Sequence, residues 1–388
     1  MRRQRWQLAA LALLAVGGLP AAGAEPAELL ARIKAVGREG KGNVEAGKAW
    51  RELVRGGPGV LLPTLAALDD ASPTAANWLH SAVDAVAERA LAEGKPLPGA
   101  KLEAFVKEAK HNGRARRLAY EWLTKVDPTA PDRLLPGMLH DPTSAELRRD
   151  AVARVLKDAE QLLQKGDKKA ATAAYQKAFA AACDKDQVDQ AARQLRELGV
   201  EADLAAHYGY VRRWMLVAPF DNTKESGYDR ANPPEKGVDL SASYAGKNNV
   251  KASWTAHATT DPYGVVDLNK ALGKQKGATA YAYAVVESPA ERPVEVRAGC
   301  INAVKVFLNG KLVLGQEEYH HGMRHDQYVG RGVLKKGRNE ILVKVCQNEQ
   351  TEVWAQDWKF QVRLCDGVGA AVPFTVVAPK AGDVKEGK

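Results

Sequence analysis

The spacing of apolar positions changes once along this chain, and the change divides it. Up to about residue 209, apolar side chains recur at helical intervals. Leu79, Val83, Val86, Ala87 and Ala90 fall three and four apart within 75–91, the spacing that turns one stripe of a helix toward a core. From Tyr210 onward the interval drops to two, and β-branched and aromatic residues become frequent, as in strands with one buried face. The expected fold is therefore multidomain, all-α followed by all-β.

The helical part, residues 25–209, repeats itself. The run 59–70 predicts one helix and 75–91 its partner. Segments 133–141 and 145–163 read as another pair, with 102–125 supplying the unit between. Leu-Leu-Pro occurs at Leu61 and again at Leu134, 73 residues apart, close to two periods of a helix pair. Within 152–197, Ala170, Ala173, Ala174, Ala178 and Ala181 make a face of small residues edged by Tyr175 and Phe179, and Gly166-Asp167 marks the turn before it. Stacked helix pairs predict an N-terminal helical-repeat solenoid. Such an arm serves either as a surface for proteins and peptides or as a spacer.

In the β part, strands are predicted at 211–220, 279–286, 294–298, 304–308, 311–314, 341–345 and 358–364. Turns fall at Gly273, Asn309-Gly310 and Lys335-Lys336-Gly337. Asn and Gly tolerate the two positive φ angles of a type I′ hairpin. Closing that turn sets Leu308 opposite Lys311, Phe307 opposite Leu312 and Val306 opposite Val313. In the last strand Trp358, Phe360, Val362 and Leu364 share one face, while Lys359, Gln361 and Arg363 share the other, which predicts a strand with one wet side. The series predicts an antiparallel β-sandwich.

These residues also carry resemblances. The helical part resembles HEAT repeats, and 152–197 resembles a tetratricopeptide (TPR) hairpin. VKVFLNG at 304–310, LKKGRN at 334–339 and ILVKV at 341–345 resemble the galactose-binding-like jelly roll of sugar-binding domains in β-galactosidase-type glycoside hydrolases. Residues 214–220, Pro233-Pro234-Glu235-Lys236, Val238-Asp239-Leu240 and 263–268 are similar to a version of this module found in exported bacterial proteins, often beside helical repeats. The resemblance covers about 211–366. It implies a jelly-roll β-sandwich over 210–370 that contacts a glycan or packs on a neighbouring domain. Related modules place an acidic pair before the VKV strand. Here Cys300-Ile301-Asn302-Ala303 stands there, so contacts resting on those acids are not expected.

Composition adds the setting. With 388 residues the chain is long enough for several domains. Arg2, Arg3 and Arg5 precede an unbroken apolar run from Leu8 to Val16 and the small-residue site Ala22-Gly23-Ala24. That pattern predicts a signal peptide over 1–24, a product exported to the periplasm or beyond the cell, and no transmembrane segment in the mature chain. Removing the three leader arginines from the formal charge of +9 leaves +6, interleaved with acids, so nucleic acid is not an expected partner. A flexible tail is expected over 371–388. Of the four cysteines, Cys346 and Cys365 are the pair best placed for a disulfide, against the alternative of free thiols. The absence of a CxxC pair excludes a zinc ribbon.

The densest candidate chemistry is the stretch 317–326. There Tyr319, His320, His321, Arg324, His325 and Asp326 sit on one inter-strand loop with Glu317 and Glu318. Arg and Asp hydrogen-bond sugar hydroxyls, and Tyr stacks on sugar faces. Imidazoles alternatively ligate a transition metal, but the spacing fits no familiar zinc pattern. Trp354 is a further contact candidate, whereas Trp358 belongs to the apolar face. Asp221 and Asp229, with Asn222, are candidates for a structural calcium, and no other cofactor is expected. Gly42 to Lys48 spells the start of a phosphate loop, but Ala49 replaces the required Ser or Thr. His80, His111, His140 and His207 are scattered and form no dyad. No paired-carboxylate, GxSxG or HExxH arrangement appears, so an enzyme is not expected. The leading expectation is an exported binding protein whose partner is a glycan or an extracytoplasmic protein. The rivals are a scaffold using its helical surface, and a cryptic hydrolase or metal-dependent enzyme using 317–326.

Overall fold

A computed structural model describes residues 24–377. The expected leader up to residue 23 and the expected tail from 378 on lie outside the described residues, but the start of that tail, 371–377, is not loose: Val372 is buried in the core and Thr375, Val376 and Val377 pair with Glu287, Val286 and Val285. The described residues form two compact units, divided after Pro128. Helices occupy the first part and antiparallel sheets the second, as the change of spacing predicts.

The first unit contains α1 (Pro26–Lys34), α2 (Asn43–Arg55), α3 (Leu61–Ala66), α4 (Pro73–Ala92), α5 (Gly99–Lys107) and α6 (Gly113–Val126). Helix α1 packs on α2, and α5 on α6. Their shared interior holds Ile33, Ala49, Leu53, Leu79, Val83 and Leu102. Helix α4 starts where Ser72 accepts the Ala75 amide at 3.2 Å with Pro73 behind it, a capping arrangement that satisfies a free N–H. Gly42, at φ +82°, opens α2, and no strand precedes it among the described residues, so the apparent phosphate loop is a helix start.

The second unit begins with α7 (Ala130–Leu134), α8 (Ala145–Gln164), α9 (Lys168–Ala181), α10 (Lys185–Glu197) and α11 (Leu204–Tyr208). Gly166, at φ +82°, and the cap Asp167 make the expected turn into α9. The switch to strands comes after Tyr208, yet these five helices fold in the same compact unit as the sheets.

The strands are β1 (Arg213–Asp221), β2 (Ser243–Ala245), β3 (Lys251–Ser253), β4 (Thr255–Ala258), β5 (Val266–Asp267), β6 (Ala278–Ser288), β7 (Arg292–Cys300), β8 (Ala303–Leu308), β9 (Lys311–Gln316), β10 (Tyr328–Leu334), β11 (Gly337–Gln347), β12 (Lys359–Cys365) and β13 (Thr375–Val377). Two short helices, α12 (Pro233–Lys236) and α13 (Leu268–Leu272), interrupt them. One sheet runs β4-β1-β6-β11-β8-β9, with β13 also on β6; the other runs β10-β7-β12-β5; β2 and β3 form a ribbon. A single apolar core joins the two large sheets. It takes Ala280, Ala282, Ile341 and Val343 from one, and Val296, Phe360, Val362 and Leu364 from the other, with Trp358 fully buried.

Strand β6 shows why alternation alone underestimates burial. Ala278, Ala280, Ala282 and Ala284 face this core, while Tyr281, Tyr283 and Val285 enter a second apolar layer with Phe220, Ala252 and Trp254. Both faces of its sheet are therefore covered.

Three further expectations need correction. The hairpin turn forms with Asn309 at φ +53° and Gly310 at +77°, and Leu308 and Phe307 meet Lys311 and Leu312 as expected. A bulge then sets Val306 opposite Leu314 rather than Val313. The extra residue keeps Val306 and Leu314 both in the core. Second, β12 has no wet side. Gln361 and Arg363 are 4% and 1% exposed, because the 317–327 loop and α11 cover that face. Third, Cys346 and Cys365 are free, like the other two cysteines. They sit on different sheets, Cys346 against Thr279 Oγ1 at 3.4 Å and Cys365 against the Glu295 carbonyl at 3.8 Å, and burial pushes each thiol up to about 11.

The outer layer over β6 and β11 is held by one ammonium. Lys344, fully buried, donates to the carbonyls of Tyr228 and Arg230, both at 2.8 Å, and to Glu235 Oε1 at 2.9 Å. Tyr281 donates to the same carboxylate at 2.5 Å. All three ammonium protons are used, which is what allows a lysine at this depth. Replacing Lys344 by Ala takes the ammonium from Glu235, which keeps Tyr281, and from the Tyr228 carbonyl, which keeps Lys305, and removes the donor to the Arg230 carbonyl. The expected loss is about 3 kcal/mol of stability, read from the shift of the denaturation midpoint by far-ultraviolet circular dichroism; an unshifted midpoint contradicts this account.

Candidate functional site

Strand ends and loops converge at one end of the larger sheet. The segments after β1, before β6, after β9 and after β11 meet there. Asn222 N donates to Gly277 O at 2.8 Å, and Gly277 N donates to Asn348 O at 2.9 Å. Lys247 Nζ reaches the carbonyls of Lys276 and Gly277 at 2.6 and 2.7 Å. Backbone strain concentrates at this end. Lys224, Glu225, Asn248, Asn249 and His320 all take φ between +53° and +60°, a region disfavoured for residues with a Cβ. Side chains that fill such positions persist only where surrounding contacts over-determine them, and they cluster at functional loops.

Asn348 is the hub. Its Nδ2 donates to Glu225 Oε1 at 3.1 Å, and its Oδ1 accepts from Gln350 N at 3.2 Å. A carboxylate only accepts and an amide N–H only donates, so the orientation of the Asn348 amide is set from both sides. The 2.6 Å contact to His320 Nε2 is then a donation from the imidazole to Oδ1. His320 Nδ1 is buried and has no hydrogen-bond partner among the described residues. Next to it, Glu349 Oε1 accepts the Lys224 amide at 2.6 Å.

Over this floor stands Trp354, 62% exposed, with Val353 beside it at 93%. The His320 ring meets Trp354 edge-on, with centroids 5.7 Å apart and planes at 81°. The imidazole thus braces the indole in an edge-to-face contact, while most of the indole stays exposed. Tyr319 is half-buried beside His320 and accepts from Asn222 Nδ2 at 3.4 Å; burial raises its phenol. Tyr319, His320 and Trp354 therefore come together.

The rest of the 317–326 stretch points elsewhere. His321 contacts Tyr328 OH and Glu318 Oε2, each at 2.8 Å. Arg324 is exposed, and its carbonyl accepts from Gln361. His325 and Asp326 turn inward onto the smaller sheet. Arg363 grips Asp326 with two bonds of 2.6 Å, from Nε to Oδ1 and from Nη2 to Oδ2, and Arg297 Nη1 adds a third of 2.6 Å. The remaining Arg363 nitrogen donates to the carbonyls of Tyr208 and Gly369. His325 Nε2 lies 3.4 Å from Asp326, and Nδ1 lies 2.7 Å from Tyr210 OH. The ring also packs 4.6 Å from Tyr208.

Asp221 and Asp229 do not converge. Asp221 accepts from the Thr223 hydroxyl and amide, which with Arg230 hold its carboxyl below the usual range, and Asp229 accepts from Lys305 Nζ at 3.1 Å. No three His, Cys, Asp or Glu side chains gather into a metal-holding group among the described residues. Asn222, beside them, braces three loops instead. Asn348 and Glu225 carry no motif that marks them in sequence, and their left-handed neighbours are invisible to composition.

Burial, aided by Arg363, Lys185 and Arg297 and opposed by Asp326, lowers His325 to about 4. Burial alone would raise Asp326, but Arg363 and His325 hold it at about 2. Both depressions act in one direction. The unfolded chain binds the His325 proton near pH 6.5 and the Asp326 proton near pH 3.9, so stability falls as pH drops from about 6.5 to 4 through His325 and further toward 2 through Asp326. His325→Gln is expected to flatten the first part of that decline by up to about 1.4 kcal/mol per pH unit. Parallel slopes for the two proteins between pH 6.5 and 4 in denaturant titrations contradict this.

No family model matches the chain, and no curated protein does. Among solved structures it is similar to a GH31 alpha-xylosidase from Xanthomonas citri, at 12% identity over 28% of this chain and 14% of that enzyme, with a TM-score of 0.18. The chain thus spans about a seventh of that enzyme's length, and a likeness this slight carries no argument.

Proposed function

We propose that this chain is an exported, non-catalytic glycan-binding protein, in which a HEAT- and TPR-like helical arm presents a galactose-binding-like jelly roll. The observation that carries the reading is Trp354, an indole 62% exposed and held edge-on by His320 at the mouth of a strained loop cluster. An apolar ring face fixed in water is a stacking platform for the C–H face of a sugar. Glu225, Glu349 and Gln350 lie around Asn348 beside it and supply hydroxyl partners. Asp326, clamped by two arginines, acts in this reading as an anchor for the loop rather than as a reacting acid. The order of VKVFLNG, LKKGRN and ILVKV along β8, the β10–β11 turn and β11 supports the jelly-roll assignment.

The experiment is retention of the full chain on insoluble polysaccharides and in affinity gels, beside Trp354→Ala and Asn348→Ala. An aromatic contact is worth about 0.5–1.5 kcal/mol, so Trp354→Ala is expected to weaken retention up to about tenfold while leaving the melting temperature unchanged. A glycan that binds the wild type and the Trp354 variant equally, or a broad panel that retains neither, overturns the proposal.

A further inference from the structure

Strand β1 runs beside β6 only from Met215, which sits opposite Tyr283. Two residues along β6, Val285 is paired instead with Val377 of β13, so that Arg213 and Trp214 keep only β4 as a neighbour, opposite Ala258 and His257. The short strand β13 thus intrudes where β1 would otherwise continue, and the sheet forks. The fork opens a groove of about 430 Å³ walled by Trp214, Met215, Tyr283 and Val285. At Arg213 it meets a second cavity of about 580 Å³, between the end of α11, the start of β1 and residues 371–376.

The linings of these two cavities are one-sided in charge. Neither holds an Asp or Glu, while Arg212, Arg213 and His257 contribute basic groups. Arg212 is paired with Asp203 at 3.3 Å. The Arg213 guanidinium is exposed and makes no ion pair among the described residues. An unpaired cation thus stands at the junction of two grooves, with an aromatic and aliphatic channel leading away from it. Each of the two spaces is in the range of small-molecule sites, roughly 300–1,000 Å³.

We infer that this fork binds an amphipathic anion, a long-chain carboxylate, with its head group on Arg213 and its alkyl chain laid between β1 and β6. A guanidinium pairs with a carboxylate through two parallel hydrogen bonds. An alkyl chain needs no backbone partners, which suits a groove walled by side chains. The site is separate from the Trp354 end and does not depend on the glycan reading.

Titration calorimetry of the full chain with decanoate, kept below its micelle concentration, tests this beside 1-decanol. Decanoate is expected to bind and decanol to bind at least about tenfold more weakly, the effect of one charge-assisted pair. Arg213→Gln is expected to bring decanoate down to the decanol level. Ala256→Phe, on the exposed edge strand β4, fills the apolar end without entering the core and is expected to abolish binding of both. Equal affinities for the two ligands, affinity unchanged in both variants, or no binding by the wild type overturns the inference. So does binding that appears only once residues 378–388 are removed, which assigns the groove to that segment.

Discussion

Arg363 is the side chain on which the second unit turns. Its guanidinium is 1% exposed, and burying such a charge costs several kcal/mol unless its donors are met. They are met by parts of the chain far apart in sequence: the loop through Asp326, the end of α11 through Tyr208, and the final loop through Gly369. None of these segments can leave alone without taking a partner from the buried guanidinium. A buried ion pair of this kind contributes more to which arrangement forms than to how stable it is, since an apolar side chain could fill the same space.

Lys344 does the same on the opposite sheet, where it holds the 228–235 segment over β6 and β11. The outer faces of the sandwich are therefore closed by two saturated cations, one per sheet. Among the places that stay open are the loop end with Trp354 and the fork beside β1. The strained residues Lys224, Glu225 and His320 lie next to Asn348 because that turn is braced from several sides. Rigid support beneath an exposed ring reduces the ordering cost of binding.

Much of the architecture was legible in the residues. The drop in spacing near Tyr210 located the change from helix to strand, and Asn309-Gly310 located a hairpin to the residue. What failed did so for a common reason. Period-two alternation reports that a strand has two faces, not whether something distant covers the second one. Arg363 and Gln361 looked wet because the loop and helix that bury them come from elsewhere in the chain. The hairpin bulge was hidden likewise, since either Val313 or Leu314 satisfies an apolar position and only the packed core selects Leu314. In the 317–326 loop, composition marked a cluster, but the partners divided it: Asn348 and Trp354 drew His320 one way, and Arg363 drew Asp326 the other. Short strands such as β5 and β13 fall below the length at which a pattern registers at all.

The helices from Ala130 to Tyr208 share one compact unit with the sheets, and this bears on how such a molecule is inherited. A gene fragment encoding the strands alone would keep Asp326 and Gly369 on Arg363 but lose the Tyr208 carbonyl and the helix that covers that face. Shuffling by recombination would therefore preserve joints near residue 128 more readily than joints at the first strand. The portable piece is the sandwich together with its helical cover.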